Sequence, residues 1–190
     1  MTDALDDRAF RGALGRFGSG VTVVTTVVDG EDHAITVSAF TSVSLDPPLV
    51  LACIDKTARF HEAVLRSGRW AVSMLSESGQ DAATWFALKG RPLDGQLEKV
   101  SYRRGDYSGA GLLDDAGAWL ECRTWRTYDG GDHTIVVGEV MTAAVSEDVD
   151  DPLLYYRSHY AALLHSAASE KSPIALRSSI IEEDPGRSDA

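Results

Sequence analysis

Thr36-Val37-Ser38-Ala39-Phe40-Thr41-Ser42-Val43-Ser44-Leu45-Asp46-Pro47-Pro48 is the stretch that decides the fold. It opens with alternation. Ile35, Val37 and Ala39 fall on one face of a strand, Thr36, Ser38 and Phe40 on the other. Small hydroxyl residues then lead into Asp46-Pro47-Pro48, where two prolines without N–H donors must stop the strand. Leu49-Val50-Leu51-Ala52-Cys53-Ile54 follows at once, an apolar run bounded by turn signals that reads as a buried strand. A strand end of small side chains therefore lies beside a dry strand, and a flat ligand can reach the backbone there.

The neighbouring segments supply more strands and a few short helices. Phe10, Ala13, Leu14 and Phe17 recur at i, i+3, i+4 and i+7, the apolar face of a helix, with Asp3, Asp6 and Asp7 at its positive end. Val21 to Val28 is β-branched almost throughout, and Asp29-Gly30-Glu31-Asp32 turns it into a strand that starts at His33. Thr57 is placed to cap a helix whose buried side uses Phe60, Val64 and Leu65, and Gly68 ends it. Trp70 to Leu75 reads as a strand and Ser78 to Leu88 as a short helix. Residues 89–116 are glycine-rich, with one short strand expected near Val100. Ala118, Leu120, Cys122 and Thr124 alternate with Trp119, Glu121, Arg123 and Trp125, and a turn at Tyr128-Asp129-Gly130-Gly131-Asp132 returns the chain as Ile135 to Val140. The class expected is mainly β, an antiparallel barrel with helices packed outside it. One domain over residues 1–166 and a partly disordered tail over 167–190 are expected. In that tail Ile174, Leu176, Ile180 and Ile181 are apolar enough to meet a partner.

Composition excludes several functions. The 190 residues carry a formal net charge of −11, against non-specific nucleic-acid binding. No apolar run reaches the ~18 residues of a membrane span. The acidic start Met1-Thr2-Asp3-Ala4-Leu5-Asp6-Asp7 is unlike a secretory leader, so a cytoplasmic protein is expected. Cys53 and Cys122 sit in apolar runs without C-x-x-C spacing and read as buried thiols, and the histidines are scattered, so no metal site is expected. There is no nucleophile elbow, no H-E-x-x-H and no phosphate-binding P-loop. Gly18-Ser19-Gly20 lacks the third glycine of a dinucleotide fingerprint, Val23 taking its place, and runs from helix to strand, the wrong order.

Several motifs in fixed order resemble one family. They are Phe17-x-x-Gly20-Val21-Thr22-Val23-Val24-Thr25-Thr26, the central stretch, Trp70-Ala71-Val72-Ser73-Met74-Leu75, Glu121-Cys122, Gly131-Asp132-His133, Gly138-Glu139-Val140 and Pro152-Leu153-Leu154-Tyr155-Tyr156-Arg157. Over roughly residues 8–165 the chain resembles the short-chain flavin reductases, the NAD(P)H:flavin oxidoreductases of two-component monooxygenases. It departs from them at His33-Ala34-Ile35, where the family usually has glycine and a small residue. The resemblance implies an FMN-binding split β-barrel, a homodimer, and hydride transfer from NADH or NADPH to FAD or FMN, with the reduced flavin passed to a partner monooxygenase. It implies that Thr36, Val37, Ser38, Ala39 and Phe40 line the flavin ring, that Cys53, Thr57 and Arg59 follow the ribityl chain and phosphate, and that Lys56, Arg59 and Lys89 add charge. Ser42, Ala58 and Phe86 complete the flavin set. His133 would stand beside the nicotinamide as the catalytic residue, with Tyr156, Arg157 and Tyr160 near the open face of the flavin. Two alternatives share this fold: a non-catalytic flavin or haem binder, and an oxidase or oxygenase that keeps its flavin. The dimer has a second argument, since two indoles, Trp119 and Trp125, share one strand face.

Overall fold

The β-branched run after Gly20 forms a strand buried on both faces. In this computed structural model, which describes residues 6–92, 94–147 and 151–163, Val23 and Val24 point to opposite sides and are 0% and 1% exposed. Such a run reads as continuously apolar because it has two cores to fill. Asp6 caps the first helix and Asp7 lies in its first turn, as expected, while Asp3 and the tail with Ile174, Leu176, Ile180 and Ile181 lie outside the described residues.

In chain order the elements are α1 (Asp7–Leu14), β1 (Ser19–Gly20), β2 (Thr22–Val28), β3 (Glu31–Val37), β4 (Phe40–Leu45), β5 (Pro48–Asp55), α2 (Arg59–Ser67), β6 (Arg69–Leu75), α3 (Gln80–Ala87), β7 (Tyr102–Arg104), β8 (Gly111–Leu113), β9 (Ala116–Gly130), β10 (His133–Val145), β11 (Leu154–Tyr156) and β12 (His159–Ala161). A 3₁₀ turn at Glu77–Gly79 leads into α3. The main sheet is antiparallel with seven strands in the order β3-β2-β6-β9-β10-β5-β4. Its two edges, β3 and β4, are consecutive in sequence. Ser38 and Ala39 alone join them, so the sheet must curl until its edges approach. The edges do not pair with each other, and the barrel stays split. The expected single strand from Ile35 through Phe40 is therefore two strands around a corner. The Cys53 N–H donates to the Ala39 carbonyl across it at 3.0 Å.

The turns follow their residues. Asp29 and Gly30 both have positive φ, the two-residue hairpin turn that matches strand twist. Glu31 and Asp32 consequently pair with Val28 and Val27, so β3 begins two residues before His33. Pro48 opens β5 opposite Leu45, at a strand's first position where a missing donor is tolerated.

The barrel interior is filled by Val24, Val50, Ile54, Trp70, Val72 and Val136, and α2 closes it with Phe60 and Val64. Leu65, expected on that buried side, is 41% exposed. Trp70 fits because residue 138 is glycine; a Cβ there would overlap the indole. A second core lies outside the sheet, where Ala82, Ala83 and Phe86 of α3 meet Val21, Val23, Ala71 and Leu113.

Three further expectations need correction. The glycine-rich stretch forms a hairpin, β7 with β8, in place of one strand at Val100. Trp119 is covered by the chain's own β8, its indole N–H donating to the Leu113 carbonyl at 2.6 Å, with the Arg103 guanidinium 4.0 Å over the ring. Only Trp125, at 44% exposed, keeps its part of the dimer argument. The apolar face of α1 is present but stays largely uncovered by the described residues: Phe10, Leu14 and Phe17 are 49%, 56% and 79% exposed. No helix among the described residues is long and apolar enough to cross a membrane, and no cluster there of three or more His, Cys, Asp or Glu could hold a metal ion.

Candidate active site

Four segments meet around a cavity of about 460 Å³: the middle of β3, the β5–α2 junction, the end of α3, and the loop after α3. Each comes there for a local reason. Asp55 ends β5 and turns its carboxylate onto the next residues, accepting from the Thr57 N–H and hydroxyl, both at 2.7 Å. This Asx-type turn sets the start of α2. Thr57 is therefore engaged with Asp55 and is not the helix cap. Ala58 occupies the cap position without a side-chain bond, leaving the first N–H groups of α2 without a side-chain partner. Hydrogen bonds from Thr57 hold the Asp55 carboxyl below its usual range, and the charges of His133 and Lys89 add to this.

The far wall is organised by Arg91. Its guanidinium donates to the carbonyls of Phe86 (2.5 Å), Leu88 (3.0 Å) and Ala34 (2.7 Å), and to Gln96 Oε1 (3.1 Å). The free carbonyls at the end of α3 are thereby satisfied by a cation, which also suits the helix dipole. The Thr36 hydroxyl donates to the Ala83 carbonyl at 2.6 Å and ties β3 to α3. Arg59 reaches over to the Arg91 carbonyl at 2.5 Å. Burial, and next the charge of Arg59, push the Arg91 guanidinium below its ordinary value.

Three cations, Arg59, Lys89 and Arg91, line this cavity, and none is in an ion pair within 4.0 Å among the described residues, unlike Lys56, Arg66, Arg103, Arg104 and Arg123. The one carboxylate in the lining, Asp55, is engaged with Thr57. In a chain of net charge −11, unpaired cations beside a helix N-terminus make a site for an anion such as phosphate.

The residues named from the sequence separate into groups. Thr36, Thr57, Ala58, Arg59, Phe86 and Lys89 line the one cavity. Ser38, Ala39 and Ser42 are exposed at the corner and on β4 and are not in its lining. The Val37 side chain is buried in the barrel, so only its backbone can face a ligand. Phe40 packs partly into the same core. Lys56 turns away, paired with the Asp129 carboxylate and bonded to the Gly131 carbonyl at 2.6 Å. Cys53 is half-buried, which raises its thiol pKa and keeps it protonated. Burial and then the Glu121 charge push the Cys122 thiol up to about 12.

His133 opens β10 directly opposite Asp55. Its Nδ1 lies 2.7 Å from Asp132 Oδ1, which orients the ring and lowers the Asp132 pKa. It borders the cavity without lining it. Tyr156, Arg157 and Tyr160 lie elsewhere, on the β11–β12 hairpin. Arg157 turns that hairpin with positive φ, and its N–H donates to the Gly15 carbonyl at 2.9 Å beyond the end of α1. Tyr160 packs against the outer core, edge-on to Tyr155 at 5.7 Å. None of the three lines the cavity. Sequence reasoning missed Arg91, Gln96 and His33. Lys89-Gly90-Arg91-Pro92 showed only loop chemistry, and nothing in it pairs an arginine with carbonyls of three segments.

The chain belongs to the flavin reductase like domain family, whose description matches residues 14–164. It is 45% identical over 145 residues to an NADH-dependent FAD reductase of Streptomyces globisporus, covering 75% of this chain and 79% of that one. It is 34% identical over 164 residues, 86% of each chain, to the reductase subunit HsaB of a flavin-dependent monooxygenase from Mycobacterium tuberculosis. Among solved structures it resembles BorF, the flavin reductase component of a bacterial two-component tryptophan halogenase, with TM-score 0.79 and 42% identity, covering 85% of this chain and 100% of that one. The chain spans 43% of the length of one longer relative.

Proposed function

We propose that this chain is an NAD(P)H-dependent flavin reductase. It would take hydride from NADH, or NADPH, onto FAD or FMN and supply the reduced flavin to a partner monooxygenase. The observation that carries the reading is the set of unpaired cations, Arg59, Lys89 and Arg91, around one cavity at the start of α2. A flavin nucleotide ends in phosphate, and this arrangement fits a phosphate while the small residues of the Ser38–Ala39 corner leave backbone accessible for a ring. The names of the relatives support NADH as donor, and an oxygenase or halogenase as acceptor of the reduced flavin.

When bound, the two cofactors supply the redox chemistry themselves. The protein's residues bind and orient. Arg59 and Lys89 hold the phosphate end. The corner presents backbone to the ring. His133, steadied by Asp132, borders the nicotinamide side. The homodimer belongs to the same proposal. Trp125 on β9 is exposed, as are Val43 and Leu45 on β4 at 49% and 91%, and these are apolar side chains a second copy would cover. So does a cytoplasmic location, which the two free thiols Cys53 and Cys122 suit.

The test is NADH oxidation by the purified protein with added free flavin. The rate rises with flavin and saturates. Lys89→Ala raises the flavin KM and leaves kcat nearly unchanged, the signature of lost uniform binding. Folded protein that oxidises no NADH at any flavin concentration refutes the proposal.

A further inference from the structure

The end of the β9–β10 hairpin, which carries His133, has little to hold it in place. β6 pairs with β9 only as far as Arg123. From Trp125 to Gly130 the only sheet neighbour of β9 among the described residues is β10. β10 in turn meets β5 from His133 onward, with His133 opposite Asp55, the last residue of β5. Gly131 and Asp132 therefore overhang the end of the sheet. The Asp132–His133 pair does not fix the ring by itself, because the Asp132 side chain is 91% exposed and an exposed pair of this kind is weak. The place of the imidazole rests on the backbone of the turn.

One residue holds that backbone. The Lys56 N–H donates to the Asp132 carbonyl at 3.0 Å. Its Nζ donates to the Gly131 carbonyl at 2.6 Å and to the Asp129 carboxylate. The ammonium keeps the Asp129 carboxyl below its usual range. Among the described residues, every hydrogen bond that reaches residues 129–132 from outside the hairpin comes from Lys56. Lys56 follows Asp55 and precedes the start of α2, so it couples the turn to the segment that forms the anion site. Lys56 itself does not line the cavity. Its side chain is 38% exposed, so its bonds add little to global stability. What they set is the position of one loop against another.

Building on the reductase reading, we propose that Lys56 is a positioning residue for hydride transfer. It locks the Gly131-Asp132-His133 turn onto the β5–α2 junction and so fixes the His133 imidazole beside the nicotinamide, without touching either nucleotide. Rate depends steeply on such placement, since a misplacement of about 1 Å can cost ~100-fold. Flavin affinity does not depend on it, because the phosphate end belongs to Arg59 and Lys89.

The test compares Lys56→Met, Lys56→Arg, His133→Ala and the double variant Lys56→Met/His133→Ala. Each is measured by stopped-flow flavin reduction at saturating NADH, by flavin titration and by amide hydrogen exchange. Lys56→Met is expected to slow reduction about 5- to 20-fold, part of the cost of full misplacement, and to change flavin affinity less than about 2-fold. Lys56→Arg recovers most of the rate, since a guanidinium still donates to a carboxylate and a carbonyl. The double variant is no slower than His133→Ala, because the brace then has nothing to place. Exchange at residues 129–133 rises in Lys56→Met while β2 and β6 keep their protection, and melting moves little. Losses that multiply in the double variant, or an unchanged rate for His133→Ala, overturn the inference and leave the reductase reading standing. So does a flavin affinity that falls with the rate, which would make Lys56 a flavin ligand. Unaltered exchange at the turn overturns it whatever the rates. A folded wild type that reduces no flavin refutes the reductase reading, and the positioning role of Lys56 falls with it.

Discussion

Replacing Glu121 by glutamine tests how the loop beyond β7 is held. Glu121 lies on β9 and is 4% exposed. Its Oε1 accepts from the Tyr107 N–H at 3.0 Å, the Ser108 N–H at 2.7 Å and the Ser108 hydroxyl at 2.7 Å, while Oε2 accepts from the Thr142 hydroxyl at 2.8 Å. The carboxylate is thus the anchor of the 105–110 loop, and residue 105 must be glycine because a Cβ there would overlap it. Glutamine keeps the shape and removes the charge. A hydrogen bond to a charged group contributes ~1.5–3 kcal/mol and a neutral one ~0.5–1.5, so the loss is about 1 kcal/mol per bond. Three bonds fall on one oxygen and do not add fully. Glu121→Gln is therefore expected to cost about 2–4 kcal/mol in urea unfolding at neutral pH, with m unchanged.

The pH dependence supplies the decisive control. Burial pushes the Glu121 carboxyl up, but the bonds from Ser108, Thr142 and Tyr107 together bring it below its ordinary value of 4.5. The unfolded chain then takes up the proton first as pH falls. The stabilisation is complete above the unfolded value and is lost as pH drops through the lower folded value. The gap between wild type and Glu121→Gln should narrow below about pH 4, the ordinary range of a carboxyl. A gap that is the same at pH 7 and in that acid range would refute the charge argument. Flavin reduction per folded molecule should not change, because Glu121 does not line the cavity.

Three other outcomes are expected. His133→Ala slows the reductive half-reaction more than it weakens flavin binding, because His133 stands beside the cavity and not in its lining; an unchanged stopped-flow rate at saturating NADH makes it a structural residue of the β9–β10 turn. Ala39→Leu adds bulk at an exposed corner, so melting of the flavin-free protein moves little while overpacking of ~1–3 kcal/mol falls on the complex and lowers flavin affinity ~5- to 150-fold; normal affinity would locate the ring elsewhere. Sedimentation at micromolar protein should give a dimer, and replacing exposed Leu45 by lysine should shift it toward monomer; a fully active wild-type monomer counts against the dimer.

The strands were legible because their chemistry is local. Val21 to Val28 is β-branched, Asp29-Gly30 demands a tight turn, and the Gly130-Gly131 region turns the long hairpin where the alternation stops. The corner was not legible. Alternation runs unbroken from Ile35 to Phe40, and the break at Ser38–Ala39 comes from sheet order: β3 must pair with β2 and β4 with β5, at opposite edges. Periodicity also gave the apolar stripe of α1 without what covers it, and the indole of Trp119 without the β8 carbonyl that receives its N–H. For the site, Thr57, Arg59 and Lys89 were found through the family resemblance, while Arg91 was invisible because most of its partners are main-chain carbonyls that carry no sequence signature.

The corner also explains why the fold and the site can be altered separately. A closed barrel would pair β3 with β4 and leave no backbone for a ligand. Here the two edges stop short of pairing, and an open edge is a liability that a protein must cover. The Ser38–Ala39 corner and the exposed Val43 and Leu45 of β4 belong to this unfinished part of the molecule, while the exposed Trp125 lies on the central strand β9. The stability of the chain rests on two cores elsewhere, one inside the barrel around Trp70 and one outside it around Phe86. Phe86 is shared: it is 1% exposed in the outer core, and its residue also borders the cavity. Changes at the corner should therefore register in ligand affinity and assembly before stability, whereas truncating Phe86 should do both at once, with the ~3–5 kcal/mol cost of an emptied aromatic site. Phe86→Ala is the substitution for which loss of flavin binding would say least about contact with the ligand.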